Sequence, residues 1–146
     1  MRAVIQRVSK ACVKIDGKVS GEIDTGLVVL LAVNNTDTYD TVEWFSNKLA
    51  NLRIFPDNAG KMNKSVLDCN GGILLVSNFT VYGDANKGFR PSFIEAAHPD
   101  IAEPLYNEMI SYLKKFYPIK IETGVFGAMM DIELVNDGPV TIIIEK

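Results

Sequence analysis

Two short polar segments interrupt apolar stretches of this chain, Ser77-Asn78-Phe79-Thr80 and Asn136-Asp137-Gly138-Pro139. Hydroxyls and carboxamides beside exposed backbone amides can hold a carbonyl oxygen as it becomes an oxyanion, with no side chain changing its protonation state. Such groups suit the hydrolysis of an activated ester by water, where alignment replaces a strong nucleophile. Proline donates no amide hydrogen and glycine lets another molecule approach closely, so Gly138-Pro139 offers carbonyl oxygens instead of side chains. The same four residues also read as a plain turn into the β-forming run Val140 to Ile144.

Conventional catalytic machinery is scarce. The single histidine, His98, stands before Pro99 at a helix start, a position more typical of a cap than of a base, so a Ser-His-Asp triad is poorly supported. No glycine-rich phosphate loop follows a strand. Cys12 and Cys69 lie far apart with no metal-ligand spacing, which predicts reduced thiols and no metal site. No cofactor is expected.

The formal net charge of -3 argues against coating long nucleic acid, though not against grasping one end of an RNA. No apolar run is long enough to span a bilayer, and Met1-Arg2-Ala3 opens no secretion signal. These features predict a soluble cytoplasmic protein without membrane partners. A length of 146 residues suits one domain over residues 1–146.

The elements that must position the polar segments alternate first as strands: Met1 to Val8, Ala11 to Ile15, a turn at Asp16-Gly17, Val19 to Ile23, then Leu27 to Val33. The last is apolar on both faces and should be a covered central strand. Thr36 or Thr38 should cap a helix with Val42, Phe45, Leu49 and Leu52 inward. Residues 57–63 read as a surface loop. Ile73 to Val81 reads as a strand turning polar at its end, and residues 83–88 as a mobile loop whose Lys87, with Arg90, can meet a phosphate.

A second helix should bury Ile101, Leu105, Met109, Leu113 and Phe116, with Pro104 in its first turn. Strands Ile119 to Glu122, Ala128 to Val135 and Val140 to Glu145 should follow. The predicted architecture is α+β: a mostly antiparallel sheet curled towards a barrel, with two long helices packed on it.

Ser77-Asn78-Phe79-Thr80-Val81 resembles the Ser-Gln-Phe-Thr-Leu motif of D-aminoacyl-tRNA deacylases, and Asn136 to Thr141 resembles their Asn-X-Gly-Pro-Val-Thr motif. The likeness extends along the chain through Val4-Ile5-Gln6-Arg7-Val8, Arg53 to Asp57, Gly60 to Asn63, Arg90 to Phe93 and Thr123 to Ala128. It implies a homodimeric proofreading hydrolase that frees D-amino acids, and glycine mischarged on tRNA-Ala, from aminoacyl-tRNA, without a metal.

By position, the resemblance implies that a cis Gly138-Pro139 peptide reaches into the partner's pocket. There its carbonyls would hold the substrate's α-amino group and exclude an L side chain. It assigns Thr80, Ser77 and Phe79 to the reacting centre, Asn78 to substrate binding, and Phe126 and Met130 to the adenosine pocket. Gln6, Arg7 and Asn136 would support, with Arg7 bracing the Gly-Pro carbonyls. Three positions depart from the pattern: Asn78 replaces glutamine, Val81 replaces leucine, and Met129 stands where aspartate is common. Two other classes stay open: a non-catalytic nucleic-acid-associated dimer, and a small-ester hydrolase using His98.

Overall fold

The computed structural model describes all residues from Met1 to Lys146. Strand β1 (Arg2–Ile15) is the spine of a six-stranded sheet. It turns at Asp16-Gly17 into β2 (Lys18–Ile23), which continues as β3 (Gly26–Ala32), both antiparallel to β1. Helix α1 (Tyr39–Asn51) leads to a small hairpin of β4 (Phe55–Pro56) and β5 (Met62–Lys64). Strand β6 (Gly72–Ser77) joins β3 in parallel, and after helix α2 (Pro99–Phe116) β7 (Lys120–Thr123) joins β6 in parallel. Strand β8 (Asp131–Glu145) returns antiparallel to β1.

The sheet curls because β2 bends towards β7: a Cβ on Gly21 would lie 2.9 Å from the Thr123 carbonyl oxygen. The curl buries both faces. Ile5, Leu27, Val29, Ile73 and Leu75 pack beneath α1 and α2 with Phe45, Leu49, Tyr106, Met109 and Leu113. The alternate residues Val28, Leu74 and Val76 face inward with Val8, Val13 and Ile23. Period-two alternation sends neighbours to opposite faces, so β3 and β6 are apolar throughout as expected of covered central strands.

Thr38 is the residue that caps α1, its amide donating to Thr41 Oγ1 at 3.2 Å. Helix α2 begins at His98-Pro99, as the His-Pro pair suggests, which sets its inward stripe at Ala102, Leu105, Tyr106, Met109 and Leu113. Ile101 and Phe116 are consequently exposed, and Pro104 lies inside the helix, past its first turn. Pro104 is itself exposed, so the carbonyl it leaves without a helical donor can be hydrated.

Three expected boundaries are corrected. Strands Met1 to Val8 and Ala11 to Ile15 are one continuous β1. Residues 57–63 are a hairpin turn built on Asp57, whose carboxylate accepts from the Ala59 and Lys61 amides at 2.8 and 3.0 Å and from Asn63 Nδ2 at 2.6 Å. The strand expected to reach Val81 stops at Ser77, and Phe79–Tyr82 form a short 3-10 helix. Its cause is Asn78, whose side chain caps the turn and outweighs the strand propensity of Phe79 to Val81.

The Gly-Pro segment is not a turn between two strands. Val8 opposes Asn136 and Gln6 opposes Thr141, so residues 137–140 together face Arg7 alone. Both halves of β8 run along the same strand in the same direction. The chain therefore bulges out without reversing.

Candidate active site

At the C-terminal tip of β6, the sheet opens into a cleft of about 680 Å³. Ser77, Asn78 and Phe79 supply one wall; Phe126, Met129 and Met130 supply another, with Phe93 and His98 at the sides. The wall from 126 to 130 folds back because Gly127 takes φ +75°, a conformation glycine adopts without a Cβ penalty. Phe126 rests 5.9 Å from the Tyr106 ring. Tyr106 is itself buried, donates its hydroxyl to the Leu75 carbonyl at 2.8 Å, and has its pKa pushed up by that burial.

The polar wall follows from the cap. Asn78 Oδ1 accepts the Thr80 amide at 3.1 Å and the Thr80 hydroxyl at 2.6 Å. The Phe79 amide, first in the 3-10 helix, donates to no group of the chain, as a leading helical amide does. The Ser77 hydroxyl and the Asn78 carboxamide nitrogen likewise donate to no protein group in the chain. This end of the cleft carries donors suited to developing negative charge, against walls that are largely apolar. Thr80 adjoins it through Asn78 and does not line it.

Thr80's hydroxyl partner is a carboxamide oxygen, which is no base. An alcohol whose proton is committed to such a group is a weak nucleophile. His98 sits on the rim with Nδ1 3.1 Å from Asp100 Oδ2, and its side chain is 75% exposed. It is the helix cap that its position suggested.

The remaining predicted residues gather on the β8 bulge. Asn136 clamps it: Oδ1 accepts the Val140 amide at 3.0 Å, and Nδ2 donates to Thr141 Oγ1 at 3.1 Å. Arg7 is buried under it, donating through Nη1 to the Ile54 carbonyl at 2.6 Å with Nε 2.9 Å from Asp137 Oδ2. No hydrogen bond runs from Arg7 to the carbonyls of Gly138 or Pro139. Gly138 has φ +122°, and a Cβ there would meet Val140 Cγ2 at 2.8 Å and Arg7 Nη2 at 3.1 Å.

Gln6 sits beside the bulge, in register with Thr141. The Gly138-Pro139 peptide is cis, and both residues are exposed.

The structure thus brings Ser77, Asn78, Phe79, Phe126 and Met130 into one cleft, and sets Gln6, Arg7, Asn136, Gly138 and Pro139 in a second cluster whose residues do not line it. Sequence reasoning missed the contribution of Phe93, whose ring stands edge-on to Phe79 at 5.1 Å. It also missed the Asn136 clamp, for which the side-chain oxygen four residues before an unpaired strand amide was the available signal.

Residues 4–145 match the family model of D-Tyr-tRNA(Tyr) deacylase. The chain is 53% identical over 146 residues to the D-aminoacyl-tRNA deacylase of Thermosipho africanus, covering 100% of this chain and 97% of that one. Among solved structures it resembles the c-Myc DNA Unwinding Element Binding Protein, with a TM-score of 0.94 at 41% identity, covering 100% of this chain and 99% of the other. It shares its fold with a chain described as a probable eukaryotic D-amino acid tRNA deacylase, with a TM-score of 0.83 at 17% identity, covering 98% and 97%.

Proposed function

The chain belongs to the D-Tyr-tRNA(Tyr) deacylase family, and from that premise we propose that it hydrolyses the ester between a D-amino acid and the terminal adenosine of tRNA. Water adds to the ester carbonyl, the ribose oxygen leaves with a proton, and free amino acid and intact tRNA result. The observation that carries this reading is the cleft itself: an apolar pocket ending in the unpartnered Phe79 amide, the Ser77 hydroxyl and the Asn78 carboxamide. Those groups suit an oxyanion, while Phe126 and Met130 suit the flat, apolar face of adenine.

Chirality is read by backbone in this account. The Gly138 and Pro139 carbonyls of one protomer enter the cleft of a second copy and accept hydrogen bonds from the substrate's α-ammonium, since carbonyls only accept and ammonium only donates. With that substituent fixed, an L side chain is driven against the Gly-Pro wall and a D side chain is not. Glycine passes, having no side chain. Support comes from the exposure of both residues on a bulge outside their own chain's cleft, and from the Asn136 clamp that holds the bulge out.

The direct test is a crystal structure with a D-aminoacyl-3′-aminoadenosine, whose amide resists hydrolysis. Partner carbonyls from Gly138 and Pro139 within hydrogen-bond reach of the ammonium are expected. An ammonium held by other groups sinks the chirality assignment. Activity should persist in the presence of a chelator.

A second reading has one observation in its favour, the name of the 41% identical DNA unwinding element binding protein. On that reading the chain is a nucleic-acid-associated dimer that leaves the ester intact.

A further inference from the structure

Beyond the cleft wall, residues 84–92 form an arm at its rim. Paired backbone bonds between Asp84 and Ser92, each 2.8 Å, close the base of the arm. Asp84 Oδ1 also accepts from the Asn86 amide and side chain at 2.9 and 2.7 Å. Phe93, the next residue, packs edge-on against Phe79 and lines the cleft. The arm is thereby fixed to the same aromatic pair that borders the reacting groups.

Its tip is unusual. Phe89 is 108% exposed and belongs to neither core cluster, so folding gains nothing by its apolar ring. Lys87 and Arg90 flank it, are exposed, and engage no carboxylate. The arm's one acid, Asp84, is occupied by Asn86. On a chain of net charge -3, a bare aromatic ring between two free cations is a local feature of opposite character. A flat ring stacks on any unpaired nucleobase, and neighbouring cations meet the phosphates on either side.

We infer that Lys87, Phe89 and Arg90 bind the single-stranded nucleotides that precede the terminal adenosine, with Phe89 stacked on a base and the two cations on phosphates. The inference rests on the deacylase reading, because it takes the cleft to hold the aminoacyl-adenosine. The strand leading to that nucleotide must leave over the rim, where the arm stands.

The experiment compares D-tyrosyl-tRNA with D-tyrosyl-adenosine as substrates for the wild-type protein, Phe89→Ala, Phe89→Trp and Lys87→Ala/Arg90→Ala. Loss of one stacked base predicts that Phe89→Ala raises KM for the tRNA ester by about fivefold or more, with Phe89→Trp restoring it. The rise should be confined to the polynucleotide. Lys87→Ala/Arg90→Ala should reduce the salt dependence of log KM for tRNA by roughly 0.7 per lost phosphate contact.

Equal KM changes on both substrates, no change on tRNA, or dissociation of a wild-type dimer by Phe89→Ala in light scattering would each overturn the assignment. Failure of the wild-type protein to cleave either ester overturns the deacylase reading instead, and the arm's role with it.

Discussion

Asn78 holds Thr80 twice, accepting its amide at 3.1 Å and its hydroxyl at 2.6 Å through a single side-chain oxygen. The hydroxyl proton therefore points at a group that cannot take it. What the pair provides is the shape of the 3-10 turn, which leaves the neighbouring Phe79 amide free at the polar end of the cleft.

Replacing Thr80 with Ala should lower kcat by roughly two- to tenfold, the loss of one neutral hydrogen bond from the turn. Single-turnover deacylation measures it. Complete loss of turnover in a folded variant would restore Thr80 as the nucleophile.

Asn136→Ala should cost about 1–3 kcal/mol of stability, because the Val140 amide loses its acceptor as the bulge loosens. Asn136→Asp keeps that acceptor but loses the donor to Thr141, and should fall between the two in urea denaturation. KM for a D-aminoacyl-tRNA should rise in the same order.

Gly138→Ala places a methyl at φ +122° against Val140 Cγ2 and Arg7 Nη2. The backbone penalty alone is about 1–3 kcal/mol, and the bulge must shift to admit the group. The melting temperature should fall and D-aminoacyl-tRNA hydrolysis should collapse. A variant with unaltered activity would remove Gly138 from the site.

These positions show where the sequence was legible and where it was not. The double-sided apolar run Leu27 to Val33 reads as a covered strand and is one over Gly26–Ala32, and the motif residues 77 to 79 with 126 and 130 do share one cleft. Asn136 to Pro139 misled, because a turn and a bulge use the same residues; only the partner strand decides whether the chain reverses, and here β1 receives both halves. Thr80 and Val81 have strand propensity, whereas Asn78 supplies a competing local bond. Pro104 is expected in a first turn although His98-Pro99 already reads as a helix start, and the structure puts it inside the helix because α2 does begin at Pro99.

Stability should fall at both pH extremes. Hydrogen bonds from Asn63 and the Lys61 amide hold Asp57 below the ordinary 3.8, and those from Ser65 do the same for Asp68. Their contribution is complete above 3.8 and disappears as pH falls through the depressed values. Burial, then the Asp37 and Glu145 carboxylates, push Tyr82 up to about 12 from 10.0. That contribution is complete below 10.0 and is lost as pH rises through about 12. Thermal melts from pH 2 to 12 should show a plateau between these limits.

If backbone carbonyls select D over L while water does the cutting, the selection is read directly from kcat/KM for D-tyrosyl-tRNA against L-tyrosyl-tRNA on one preparation. Release of D-tyrosine should be favoured by roughly a hundredfold or more, since a clash of about 3 kcal/mol suffices for that ratio. Equal hydrolysis of the two esters would contradict it.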